Sequence, residues 1–479
     1  MALYIALAVV LLVLVLVGRA PRGHATRPVT NLQPGHPNWE RCYIESTGCG
    51  AAHSCSFVEF DERGDYLDFD QHRNAYEQIL KLAGGPEPLT VVIYVHGWRH
   101  SGQSQDVVSF NHFLHQLAGS SVTSGRRRVH GVYLAWRGAT LRHTIEENDA
   151  FRATSRCYGA AIIDADKKAP VPLLTELIET ASYFNRKSVP EYKFAGTSIS
   201  RTIFSCAFAA KRNQPSCEVL LMGHSFGGLM LERTLQNATI GELTEAWPWE
   251  QLESGRISTV NPLPFDSIVI VNSAAPSIYA KQFQSYLAGH RQAMARAHVP
   301  HANTPIMFNV TSAADWATGI THPIANMLCP LVPTLWRKYT YDDFTVERVR
   351  ANEDIVVPQS YYYRHTPGHN PLLVNRFIES KASATPDGFR TSVPFGDGSS
   401  WFINFPPVTP DFDQFSRYRG RRPLAWTRGT DRYNESAYWI VRCPKAIISG
   451  HNDIWSPHAM DMYAAFHRIA LEASSSQRV

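Results

Sequence analysis

The stretch Leu89–Trp98 reads "LTVVIYVHGW", a run of β-branched, aliphatic and aromatic residues that stops at a His-Gly pair. A run without a polar face suits a strand covered on both sides. The pattern returns in "RRVHGVYLAW" (Arg127–Trp136), "CEVLLMGHS" (Cys217–Ser225), "FDSIVIVNSAAP" (Phe265–Pro276), "TPIMFNVTSAADW" (Thr304–Trp316) and "CPKAIISGHNDIW" (Cys443–Trp455). Segments of helical spacing lie between most of them, among them "HRNAYEQILKLA", "SFNHFLHQLAG" and "SISRTIFSCAFAAKR". Buried strands alternating with helices predict an α/β fold, a mostly parallel sheet flanked by helices. Ahead of them, "SFVEFDERGDYLDF" alternates around Arg-Gly and predicts a hairpin.

Two stretches interrupt the alternation. Ala139 to about Lys187 is longer than a usual connection, and Pro330 to about Arg432 fills the place of a short crossover. The second is rich in aromatics and prolines ("SYYYRHTPGHNPLLVNRF", "WFINFPPVTPDFDQF") with little helical periodicity. It is expected to drape over the sheet as a cap-like insertion between the last two strands. The organisation expected is a leader over residues 1–27, a Cys-containing linker over 28–55 and the α/β domain over 56–479. A hydrophobic share of 44% with 18% charged residues fits a globular core, and a net charge of +4 is too small for a nucleic-acid partner. The basic runs "GRRRVH" (Gly125–His130) and "RGRR" (Arg419–Arg422) read as solvated loops.

The N-terminal run "ALYIALAVVLLVLVLVG" (Ala2–Gly18) is uninterrupted and apolar, and is followed by Arg19, Arg22 and Arg27. A spanning helix needs about 17–25 apolar residues and a signal-peptide core about 7–15. A membrane anchor or uncleaved signal is favoured over a cleaved one, with the rest of the chain membrane-anchored or exported. Cys42, Cys49 and Cys55 cluster just beyond, and the even count of 8 cysteines is compatible with disulfides in an exported chain. Some of the eight, Cys206 among them, read equally well as buried thiols. No Cys-x-x-Cys pair occurs, so no metal site is expected. Asn237, Asn309 and Asn434 match the glycosylation acceptor pattern, although Asn309 falls inside a strand.

Ligands of such sheets bind at the carboxyl ends of the strands. Those ends carry His96-Gly97-Trp98, then Gly223-His224-Ser225-Phe226-Gly227, then Asp315, then His451. Gly-x-Ser-x-Gly is a weak signal alone. Between a buried strand and the helical "GGLMLERTLQNA" it describes a sharp turn that holds a serine hydroxyl out towards a base, with glycines where side chains would collide.

The segments "VVIYVHGW", "GHSFGG", "TSAADWAT" and "GHNDIW" together resemble the α/β-hydrolase family of serine esterases and lipases, over nearly all of the chain from Ser56 to Arg468. The resemblance implies an α/β-hydrolase fold with Ser225 as nucleophile, Asp315 as the orienting acid and His451 as the base. It also implies an oxyanion hole formed by the backbone N–H groups of Trp98 and Phe226. The expected reaction is cleavage of a small-molecule or lipid carboxylic ester, with no cofactor. Rivals within the sequence are His458 for the base and Asp266 or Asp453 for the acid. His96 reads as structural, and Trp98 and Trp316 as pocket lining or core. Two further readings share the fold: a catalytically silent binding module and an acyltransferase using the same triad.

Overall fold

Wholly apolar runs become wholly buried strands. A computed structural model of the chain describes residues 43–46, 53–61, 63–98, 100–102, 104–119, 127–136, 138, 187, 190–191, 198–243, 263–296, 305–323, 344–350, 353–381, 391–404 and 437–475. Two units divide it, one comprising Met1–Ala238 with Leu263–Asp266, the other Thr239–Pro262 with Ser267–Val479.

The first unit contains β1 (Tyr43–Ser46), β2 (His53–Phe60), α1 (Phe69–Ala83), β3 (Leu89–Val95), α2 (Gln105–Gly119), β4 (Arg128–Trp136), α3 (Ser198–Asn213), β5 (Glu218–His224) and the start of α4 (Phe226–Leu243). Its strands run in the order β1-β2-β4-β3-β5, parallel except for β1. In β3, Val91, Val92, Ile93 and Val95 are fully buried, each stabilising the fold by about 1.5–3 kcal/mol. Helix α1 starts where the Asp68 carboxylate accepts the Asp70 N–H at 2.9 Å, and stops at Gly84. It packs on α3, β2 and β3, while α2 packs on β4 and β2.

The second unit contains β6 (Ser267–Val271), α5 (Ser277–Arg296), β7 (Met307–Ser312), β8 (Phe344–Arg350), β9 (Glu353–Pro358), α6 (Gln359–Arg364), β10 (Arg376–Glu379), β11 (Thr391–Pro394), β12 (Ser400–Asn404), β13 (Tyr438–Cys443) and α7 (Pro457–Ser475). The order is β6-β7-β13-β10-β12-β11, with β6, β7, β13 and β10 parallel and the last two antiparallel. Strands β8 and β9 form a separate hairpin. Helix α7 packs on β6 and β11. Both units are α/β with mostly parallel strands and helices packed on them.

Several sequence expectations change. The last parallel strand is "YWIVRC", not the apolar run of "CPKAIISGH": Pro444 ends the ladder, and Ile447 and Ile448 are buried in a turn. The described part of the 330–432 insertion both covers and joins the sheet: Pro367–His369 lies against β7 and β13. The insertion extends the sheet, because β10 pairs in parallel with β13 and is followed outward by β12 and β11. Strands β7 and β13 are hydrogen-bonded neighbours although the insertion separates them in sequence. The expected hairpin after Ser56 shrinks to one bridge, Phe60–Tyr66, because β2 pairs with β1 and β4. The sheet begins before residue 56, with β1 and the start of β2 inside the 28–55 stretch. Arg127 is no solvated loop residue. It is buried, 3.1 Å from Glu218 Oε1, and donates to Thr90 Oγ1 and to the carbonyls of Leu89 and Ser216.

Asn309 is fully buried in β7 and donates to the Tyr438 hydroxyl, whereas Asn237 is exposed on α4. Cys206, Cys217 and Cys443 are buried thiols; burial pushes Cys206 and Cys217 up to about 12 and Cys443 in the same direction. The Ala2–Gly18 run, Cys42, Cys49, Asn434, Arg419–Arg422 and nearly all of 139–187 lie outside the described residues. Among the described residues no helix is long and apolar enough to cross a membrane.

Candidate active site

In the first unit, β5 delivers the chain to Ser225, whose φ of +53° lies in the left-handed region. A non-glycine residue held there costs about 1–3 kcal/mol. The glycines around it are required by contact. A Cβ on Gly227 would collide with the Val95 carbonyl oxygen, and one on Gly223 would stand 3.0 Å from the Gly227 backbone. Helix α4 begins at once: Leu229 N–H donates to the Ser225 carbonyl at 3.0 Å. Its N-terminal amides precede that bond and carry the positive end of the helix dipole. Ser225 is buried, at 2% exposure.

The loop after β3 lies against this turn because Val95 and Gly223 are paired across the sheet. A Cβ on Gly97 would come within 2.9 Å of Ser225 Cβ, so only a glycine lets the two backbones approach this closely. His96 anchors the loop. Its Nδ1 lies 2.8 Å from the Gly97 carbonyl, and its Nε2 accepts the Trp136 N–H at 3.0 Å. That pattern fixes the neutral Nδ1–H tautomer, and burial holds the group down at about 4. His96 is structural, as the sequence suggested. Trp98 follows Gly97 and is half-buried, its ring 6.1 Å from that of Phe226, which opens α4. The loop's far end is held by the Tyr133 hydroxyl, 2.9 Å from Asp106 Oδ2 and 3.3 Å from the Ser101 carbonyl. Sequence reading missed Tyr133 and Asp106, since nothing in a strand tyrosine signals a loop 32 residues away.

In the second unit, the structure brings Asp315 and His451 together. His451 Nδ1 lies 3.0 Å from both carboxylate oxygens. With Nδ1–H donating there, Nε2 is the basic nitrogen of the neutral ring. The Asp315 side chain is fully buried. Its Oδ1 accepts the Ala317 and Thr318 N–H groups at 3.0 and 3.1 Å, as a helix N-cap does, and its Oδ2 accepts the Thr318 hydroxyl. Burial acts to raise its pKa, but the His451 ring and the Thr318 bonds outweigh it and hold the carboxyl down at about 2.

Behind Thr318 stands His369, whose Nδ1 is 3.1 Å from Thr366 Oγ1 and 3.4 Å from Thr318 Oγ1. Burial holds it at about 4, so it is neutral at pH 7. The insertion thus supplies part of the carboxylate's support. Trp316 is not core: it is 64% exposed beside Asp315.

The rivals are engaged elsewhere. His458, on α7, bonds Asp397 at 3.0 Å. Asp453 accepts the Ser449 N–H within its own loop. Asp266 pairs with Lys211 at 2.6 Å and accepts the Val219 N–H at the start of β5. Among the described residues, no group of three or more His, Cys, Asp or Glu side chains is arranged to hold a metal ion.

No protein-family model, curated protein or solved structure matches the chain.

The first unit thus holds a serine on a tight strand-to-helix turn, and the second a buried carboxylate–imidazole pair. Two further residues escaped the sequence reading. Thr318, three after Asp315, has a local signal, an acid placed to cap a helical turn. Asn272, at the end of β6, has none.

Proposed function

We propose that the chain is a serine hydrolase of the α/β-hydrolase fold that cleaves carboxylic esters through an acyl-enzyme. The observation that carries this reading is the Ser225 turn. A serine that merely ends a strand needs neither a left-handed backbone nor glycines packed at both flanks. The Asp315–His451 pair supports it, because a carboxylate held ionised by its surroundings orients an imidazole as a base.

In this reading His451 Nε2 takes the Ser225 proton as Oγ attacks the ester carbonyl. The backbone N–H groups of Trp98 and Phe226 hold the oxyanion; losing one such donor costs about 2.7–4 kcal/mol of barrier. The imidazolium then protonates the leaving alcohol as the C–O bond breaks, leaving acyl-Ser225. Water, deprotonated by the same nitrogen, releases the acid and restores the serine. Asp315 stays ionised and stabilises the imidazolium. The apolar Ala2–Gly18 run supports a membrane-attached or exported enzyme.

The test is turnover of p-nitrophenyl esters of graded acyl length by the full chain. Saturable hydrolysis, reduced on the order of 10⁵-fold or more in Ser225→Ala, is expected. Absence of turnover across the series, or turnover untouched by the substitution, would refute the reading.

A further inference from the structure

The loop that carries His451 is poorly held by packing. Ser449, Asn452 and Asp453 are exposed, and Gly450 and His451 are half-buried. Yet the imidazole sits at 3.0 Å from both oxygens of Asp315, so something must fix the backbone beneath it. Asn272 and Ser312 reach this backbone from the sheet, and it is Asn272 that bonds Gly450 and His451.

Asn272 follows the last residue of β6, is fully buried, and has a φ of +47°. Its own N–H donates to the Val310 carbonyl at 2.8 Å, which continues the β6–β7 ladder past the end of β6. Its Oδ1 accepts the Ser312 N–H at 3.0 Å, at the end of the strand that leads to Asp315. Its Nδ2 donates to the carbonyls of Gly450 and His451, at 3.2 and 3.0 Å. One amide therefore ties the acid's strand to the base's loop. Ser312 adds a parallel tie, its hydroxyl donating to the Ile448 carbonyl at 2.6 Å.

We propose that Asn272 is a positioning residue for the general base, setting the His451 ring against Asp315 through the two loop carbonyls. This rests on the reading of His451 as the base. An asparagine chosen only for its tolerance of left-handed backbone would bond its own neighbours. Here both amide protons go to residues 178 and 179 positions away. Both donors and the acceptor are used, which is the condition for a buried amide to fix geometry without leaving an unpaired polar group.

Asn272→Gly is the decisive variant, because glycine adopts φ near +47° without strain and only the amide is lost. Asn272→Asp keeps the acceptor for Ser312 N–H and loses both donors. Two readouts are taken on full-length protein: kcat and KM on one ester, and the low-field proton resonance of His451 Nδ1–H. In both variants kcat is expected to fall about 10–100-fold with KM little changed, because a small misplacement of a reacting group is this costly. The resonance is expected to broaden or vanish while the near-ultraviolet dichroism stays native.

Wild-type kcat together with a wild-type resonance in either folded variant overturns the proposal. Loss of the fold in both variants also overturns it, because Asn272 then belongs to the scaffold. If the unaltered chain turns over no ester, the ester reading fails, and the resonance decides the role of Asn272 alone: its persistence in the glycine variant contradicts positioning, and its loss supports it.

Discussion

The Ser225 turn and the Asp315–His451 pair are built by opposite means. Ser225 is placed by backbone shape: a positive φ, glycines that admit no methyl group, and a helix that starts on the next residue. Its determinants lie within Gly223–Gly228 and the neighbouring end of β3. The Asp315–His451 pair is surrounded by side-chain hydrogen bonds from Asn272, Ser312, Thr318 and His369, which come from three separate stretches of the chain. Steric placement is compact in sequence and intolerant of added atoms. Hydrogen-bonded placement is scattered in sequence and intolerant of removed ones.

Asp315→Asn breaks the second arrangement most severely. An amide there can present N–H to His451 Nδ1, which favours the wrong tautomer, so kcat is expected to fall about 10⁴-fold. Fluorescence-monitored unfolding should show the fold retained. A variant within ten-fold of wild type in steady-state assays would mean that the pair does not orient a base.

Thr318→Val is a milder probe of the same network, expected to lower kcat about ten-fold in the same assay, in line with one lost hydrogen bond to a charged group. At pH 7 the substitution should lower the unfolding free energy by about 1.5–3 kcal/mol. Asp315 titrates near 2 in the folded chain, below its ordinary 3.8. The stability it contributes is therefore present above about pH 4 and is lost as pH falls towards 2. The gap between wild type and Thr318→Val should close over that window in denaturant titrations. A gap independent of pH would mean that Thr318 supports packing and not the ionised carboxylate. The difference between variants is the quantity to follow, because His96 and His369, both held near 4 by burial, make the fold lose stability in acid as pH drops below about 6.5.

Legibility in the sequence follows the same division. Strands β3 to β7 are readable because each is covered on both faces and so carries a mostly apolar run, with few polar residues among the buried ones. Strand β13 was misplaced because two apolar runs flank Pro444, and the one before the proline can join a ladder. The part of the insertion that extends the sheet is not legible because β10, β11 and β12 are short, with exposed and half-buried residues among the buried ones, and carry no continuous apolar signal. Ser225 stands in a contiguous motif and Asp315 shortly beyond β7, whereas His451 was picked from a run that the structure folds as turn and loop after β13. Asn272, Thr318 and His369 were not legible, because a polar residue that acts on a partner far along the chain leaves no local pattern.

The central claim is that Ser225 is an activated nucleophile. It is tested most directly by reacting the full-length protein with a fluorophosphonate and mapping the adduct by peptide mass spectrometry. A single adduct on Ser225 is expected, absent in Ser225→Ala and strongly slowed in His451→Ala. Labelling that persists undiminished in Ser225→Ala, or an adduct confined to another residue, would contradict the assignment.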